Sequence, residues 1–318
     1  MKESVLNEID KVEIITLADN YIDLAAGDNS QMIKRAMPLK EGELRNSILA
    51  EHGFSALVRT TTGERTRTVI FDFGFSKDAA ARNAEVLNLD LGETEAVILS
   101  HGHIDHFEGL EAVAEKIGRK EVELVTHPAS FRQKRIWRVS PEQKIGLPSP
   151  DRTKIEEAGF RIVESRHPYP LLQGDALFLG EIPRVTHFEK GHPNTYFVKD
   201  GEEVWDPIED DSGMVMNVSG KGLVLLAGCA HAGIVNTVKH AMKATGIGKV
   251  HAVMGGFHLS GAIFEPIIDD TIRALREIEP DFVIPTHCTG RKAVLTFERE
   301  MPDAFIVNMA GTTITFDA

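Results

Sequence analysis

The 318 residues carry 35 Lys and Arg against 48 Asp and Glu, a formal net charge of −13, and 42% of the side chains are hydrophobic. This composition supplies a sizeable core and excludes a disordered chain, a coiled coil and a collagen-like fibre. The acidity argues against a general electrostatic grip on nucleic acid. Apolar runs such as Gly222–Ala227 fall far short of the roughly 20 residues that span a bilayer. Residues 1–10 show neither a basic nor an apolar leader region. Two cysteines, Cys229 and Cys288, make no disulfide framework, so a cytoplasmic protein without membrane contact is expected.

In chain order, Val12–Leu17, Ser55–Arg59 and Thr68–Phe73 read as strands, the last closing at Gly74. Asp78–Leu87 reads as a helix. Ala96–Ser100 is a short apolar strand ending at His101. Phe107–Ile117 has helical spacing, with Leu110, Val113, Ala114 and Ile117 on one face, and Val122–Val125 is a strand. Between Phe131 and Lys154 seven basic residues (Arg132, Lys134, Arg135, Arg138, Lys144, Arg152, Lys154) stand against two acidic ones (Glu142, Asp151). Pro141, Pro148 and Pro150 oppose a long helix there. The stretch from about 128 to 170 therefore reads as a basic cap or insertion on a single domain covering 1–318.

Strands return at Ala176–Leu179, Arg184–Thr186, Thr195–Val198, Gly213–Val218 and Leu223–Ala227. The charge run Glu202–Asp211 reads as a solvated loop. A helix follows over Gly233–Ala244, then a strand (Val250–Met254), a helix (Pro266–Ile278), a strand (Phe282–Ile284), a helix (Arg291–Arg299) and strands near Phe305–Val307 and Thr313–Phe316. A β-rich front half and an alternating back half imply an α/β (α+β) fold, sheet packed on sheet with helices outside.

The segment that carries chemistry is Ser100-His101-Gly102-His103-Ile104-Asp105-His106, between an apolar strand and a helix. Imidazole nitrogen and carboxylate oxygen are ligands for zinc and iron. In an extended turn His101 and His103 point the same way. Asp105 and His106 start the helix and face a second point, so the spacing suits two metals better than one.

This segment resembles the signature of the metallo-β-lactamase superfamily, and Phe71-Asp72-Phe73-Gly74 resembles the element that precedes it in that fold. Glu51–Ser55, Gly180–Arg184, Gly228–Gly233, Gly255–Leu259 and Pro285–Gly290 extend the resemblance over nearly the whole chain. Together they resemble the branch named for dihydropterin-methyl-(ribofuranosyl)aminobenzene 5′-phosphate synthase. One departure is Phe107-Glu108-Gly109, where that branch has a small residue and paired glycines.

The resemblance implies an αββα sandwich with metals at one edge, between the sheets. It implies two divalent metal ions, zinc first, with iron or manganese also compatible. The implied ligands are His101, His103, Asp105, His106, His231 and His287, and Asp105 is also the catalytic residue. Cations so paired share a water and lower its pKa. A plain hydrolase of this fold has Gly-Asp where this chain has Gly228-Cys229. Cys229 is then either a thiolate ligand or a small buried residue, and Asp210 or Asp211 is a substitute carboxylate. Asp72 is a candidate acceptor for a ligand histidine. His258, His187 and His52 are candidate contacts. His127, His167, His192, His240 and His251 read as surface or core residues, His240 as exposed.

Two activities divide here. One is hydrolysis of a phosphorylated or diphosphate substrate, an ester, a lactone or a thioester. The other is transfer, joining a dihydropterin-methyl diphosphate to a ribofuranosyl-aminobenzene 5′-phosphate with loss of diphosphate. Arg132–Arg138 and Arg184 are candidate phosphate contacts. Phe54, Phe107, Phe257 and Glu181 are candidates for a pterin pocket. The expected partner is a small, phosphorylated substrate, with no nucleic acid and no membrane, and exposed edge strands make a homodimer reasonable.

Overall fold

The computed structural model of the chain describes residues 6–44 and 46–318; the first five residues of the stretch read for a leader lie outside them. Two sheets stack face to face. The first runs, edge to edge, Phe160–Glu164, Val122–Thr126, Thr94–Ile98, Arg65–Phe71, Ser55–Thr62, Lys11–Ala18, Thr313–Asp317 and Ile33–Lys34. The second runs Tyr169–Leu171, Ala176–Phe178, Gly213–Val218, Gly222–Ala227, Val250–Gly256 and Phe282–Thr286, with Glu8–Ile9 added beside Gly213–Val218.

Side-chain alternation explains the layers. In Gly213–Val218, Met214, Met216 and Val218 enter the core between the sheets, while Val215 faces outward. In Gly222–Ala227, Val224 and Leu226 point inward, and Leu223, Leu225 and Ala227 meet the helices Ile234–Thr245 and Ile268–Ile278. In Ser55–Thr62, Ala56 and Val58 point inward, and Leu57 joins the outer layer with Ala80, Ala84, Val113 and Ile117 of the helices Ala79–Val86 and Leu110–Ile117. The result is helix, sheet, sheet, helix. Among the described residues no helix is long and apolar enough to cross a membrane.

Position follows from strand direction. Arg65–Phe71, Thr94–Ile98, Val122–Thr126 and Phe160–Glu164 are parallel neighbours, as are Gly222–Ala227, Val250–Gly256 and Phe282–Thr286. Their C-terminal ends release Asp72, His101, Cys229, His258 and His287 at one rim, where open parallel sheets build sites.

Several elements differ from the sequence reading. The helix expected over Phe107–Ile117 is two, Ile104–Phe107 and Leu110–Ile117. At the junction a Cβ on Gly109 would lie 2.2 Å from the Phe73 carbonyl oxygen. Arg184–Thr186 is a loop, because the Asn236 carboxamide oxygen accepts from the backbone N–H groups of Val185 and Thr186. Phe305 makes a single bridge to Val283 and no strand. Within 128–170, Phe160–Glu164 is an edge strand of the first sheet. Arg135–Arg138 and Lys144–Leu147 form a hairpin that pairs with Thr195–Lys199 and Glu202–Trp205. His240 is half-buried and donates to the Leu179 carbonyl at 3.0 Å.

Candidate metal centre

Every loop that carries a candidate ligand is tied down by a buried carboxylate. Asp72 accepts from the Ser100 N–H and hydroxyl, both at 2.7 Å. The Gly102 N–H donates to Asp210 at 2.8 Å, and a Cβ there would fall 2.0 Å from the Ser130 carbonyl oxygen, so the turn requires glycine. The Ala232 N–H donates to Asp211 at 2.9 Å, and the His287 N–H to Asp19 at 2.8 Å. Charge-assisted bonds of this kind are short and strong.

So held, His101 Nε2 lies 3.1 Å from His103 Nδ1, which lies 3.1 Å from His231 Nε2. His231 Nδ1 has no hydrogen-bond partner although it is buried. Burial, reinforced by neighbouring rings, holds His101 and His231 well below the ordinary histidine value. Burial and Arg135 lower His103 to about 3. Three neutral imidazoles converging on one point match a three-ligand site with an open position.

A second group adjoins the first. His106 Nδ1 sits 2.7 Å from Asp72, so Asp72 fixes the ring and turns Nε2 toward Cys229 Sγ at 3.1 Å. Asp105 Oδ2 is 3.2 Å from His287 Nε2 and 3.8 Å from His106 Nε2. Neither ring nitrogen of buried His287 makes a hydrogen bond. Burial lowers His106, but the Asp72 and Asp105 carboxylates outweigh it and raise the ring to about 9. Burial acts the other way on Asp105, and His106 and His287 hold it below the usual carboxylate range. His52, on the exposed side, places Nε2 4.0 Å from Asp105. Donor atoms of Asp105, His106, Cys229 and His287 all lie within 4.8 Å of one another, as do those of His101, Cys229 and His231. The unpartnered buried nitrogens and the N, O and S chemistry fit divalent cations.

The structure thus brings together His101, His103, Asp105, His106, His231, His287, Asp72 and Cys229. The His258 ring lies 4.2 Å from that of His231, with Nδ1 unpartnered. His187 is exposed, and its ring meets Phe188 outside the donor groups. Glu181 is exposed and pairs with Arg166 at 3.0 Å. Arg184 is half-buried and donates to the carbonyls of Pro207 and His231, at 2.5 and 3.4 Å. Phe54 belongs to the core between the sheets.

The cap corrects the phosphate assignment. Arg132 pairs with Asp206 and Glu209 at 2.5 and 2.8 Å, and Arg138 with Glu203 at 2.6 Å. Arg135 is 1% exposed; its Nη2 donates to Asp210 at 2.5 Å, and its Nε lies 3.1 Å from Asp206. These guanidiniums are occupied by the chain's own carboxylates. The run Glu202–Asp211 is a solvated loop in neither half: Glu202–Trp205 is an exposed strand, and beyond it Asp206, Asp210 and Asp211 are buried. Asp19, Asp210 and Asp211 are the positioning residues that sequence reading missed as such. Asp19 carried one usable signal, its place at the end of an apolar strand.

Beside His231 and His258 opens a cavity of about 470 Å³ lined by Phe188, Trp205, Phe257 and Phe264, with Glu189 at its wall. Burial raises Glu189 to about 7, although its carboxylate accepts from the N–H groups of Val235 and Asn236 at the start of a helix.

Residues 50–198 match the family model of the metallo-β-lactamase superfamily. The chain is 33% identical over 98% of its length, and 99% of the relative's, to the 7,8-dihydropterin-6-methyl-4-(β-D-ribofuranosyl)-aminobenzene-5′-phosphate synthase of Methanocaldococcus jannaschii. It is 31% identical to an uncharacterized protein of the same organism, over 77% of this chain and 86% of that one. Among solved structures, Tm1679, a metal-dependent hydrolase of the β-lactamase superfamily, superposes with a TM-score of 0.71 at 24% identity, over 96% of this chain and 100% of that one. With its layered fold and its HxHxDH donors at the shared rim of two sheets, the chain belongs to the metallo-β-lactamase superfamily.

Proposed function

We propose that the protein holds two divalent cations and joins a dihydropterin-methyl diphosphate to a ribofuranosyl-aminobenzene 5′-phosphate. The observation that carries this reading is the meeting of two donor groups beside an aromatic-lined cavity. Whole-length similarity to a synthase supports transfer over hydrolysis. His101, His103 and His231 would hold one cation; Asp105, His106 and His287 would hold the other. Bound there, the cations supply Lewis acidity toward the leaving diphosphate.

The chain's own residues do the rest. Phe188, Trp205 and Phe264 offer faces for a flat heteroaromatic ring. Asp72, Asp210, Asp211 and Asp19 keep the ligand loops from shifting. In the transfer the methylene–oxygen bond to diphosphate breaks, a methylene–nitrogen bond forms, and the amine proton is lost. Orientation of the two substrates is the larger part of such catalysis.

The test is direct. Zinc- or manganese-loaded protein is given both substrates, and the coupled product is followed by mass and the diphosphate by release. Equal amounts of both are expected. Diphosphate release at the same rate without the aminobenzene substrate would replace transfer by hydrolysis.

Cation retention should split with pH. His106, raised to about 9, carries a proton at neutral pH that its cation must displace. Apparent affinity at that group therefore falls about tenfold per pH unit from 8 to 6. The rings of His101, His103 and His231 are already neutral there, so in a Cys229→Ser variant, which has no thiol proton to release, the other cation is held almost unchanged. Competition with a chromophoric chelator at pH 8, 7 and 6 checks this, and equal slopes for the two cations would refute it.

A further inference from the structure

We infer that Cys229 supplies a sulfur ligand shared by the two donor groups. The inference rests on the two-cation reading above and adds a specific ligand to it.

Three observations carry it. Cys229 is the one residue common to both donor groups, with Sγ within 4.8 Å of ligand atoms of His101 and His231 on one side and of Asp105, His106 and His287 on the other. Its Sγ is 3.1 Å from His106 Nε2, the nitrogen that Asp72 leaves free for a ligand role. Finally, the backbone around it is crowded in a way that fixes its place. A Cβ on Gly228 would lie 2.2 Å from Ser100 Oγ, and one on Gly256 would lie 2.6 Å from the Gly228 oxygen and 3.2 Å from Cys229 Cα. The strand ends approach this closely only because both are glycine. Ala230, at φ 51°, then turns the chain so that Cys229 and His231 both reach the centre.

A thiolate sulfur has lone pairs enough to meet two cations. It favours zinc, cobalt and iron over manganese and magnesium. Cys288 is the natural rival, because its Sγ, that of Cys229 and a ring nitrogen of His258 also cluster. Its thiol is directed at the Cys229 carbonyl oxygen, 3.5 Å away.

Cobalt(II) separates the two. Full-length apoprotein is loaded with cobalt, bound metal per chain is counted by elemental analysis, and the near-ultraviolet sulfur-to-cobalt charge-transfer band is recorded. Two cobalt ions and a band are expected in the wild type. Cys229→Ser should lose the band. Cys229→Asp should lose the band yet keep two cobalt ions, which also shows that the centre still forms. Cys288→Ala should keep the band. Two cobalt ions without a band would overturn the cysteine assignment while leaving the two-cation reading intact. A single cobalt ion with a Cys229-dependent band would overturn the sharing and that reading together. A band that survives Cys229→Ser and vanishes in Cys288→Ala would move the ligand to Cys288.

Discussion

His103→Ala should lower bound metal by one cation per chain and cut turnover by more than the 10–100-fold that loss of an outer partner of a ligand costs. His103 Nδ1 is the middle nitrogen of its group, 3.1 Å from both His101 Nε2 and His231 Nε2. Without it two imidazoles remain beside a sulfur already shared with the neighbouring group, short of the three ligands that a catalytic zinc site gives one metal. Its ring makes no hydrogen bond to the backbone, and the turn is held instead by Asp72 and Asp210. The fold should therefore survive, and thermal unfolding of the metal-free variant should match the metal-free parent. Asp105→Ala should empty the neighbouring group in the same way. His187→Ala, on the surface, should change neither quantity. Full stoichiometry in either ligand variant would show the donors to be misassigned.

The donors were legible because four of them lie within six residues at a strand end, where local order alone places them near one another. His231 and His287 were legible for a related reason, since each follows an apolar run that could only be a buried strand. The carboxylates that position them were not. Asp210 and Asp211 sit in the acidic run Glu202–Asp211, and run by run such a sequence reads as solvated. Only the folded chain sets Asp206 and Asp210 against Arg132 and Arg135, some 70 residues earlier. Two opposite charge runs, one read as a cap with phosphate contacts and the other as a solvated loop, form one network across Arg132, Arg135, Asp206 and Asp210. The same dependence on distant partners explains Arg184–Thr186, whose apparent strand is fastened by the side chain of Asn236. Local pattern pointed to the layers and to the candidate donors; long-range electrostatics chose which acids are buried.

Arg135→Ala should therefore act on stability first and on metal second. Removing one partner of a buried ion pair leaves an uncompensated charge and costs roughly 3–5 kcal/mol. Here the guanidinium serves Asp206, Asp210 and the Ala129 carbonyl at once. Burial raises Asp210, but Arg135 and the Gly102 N–H more than offset it and hold the group below the usual carboxylate range. A carboxylate depressed in this way lends stability above its unfolded value, near 4, and that contribution disappears as pH falls through its folded value. The variant lacks most of it. The gap between parent and variant should then be full at pH 7 and 5 and shrink only as pH drops below about 4. Denaturant midpoints at pH 7, 4 and 3 read this directly. A gap under about 1 kcal/mol at pH 7, the worth of a surface pair, would mean that the network does not hold the cap. Because Asp210 also takes the Gly102 N–H, the variant should loosen the His101–His103 turn and weaken the cation held there. An unchanged affinity would separate the cap's stability from the metal centre.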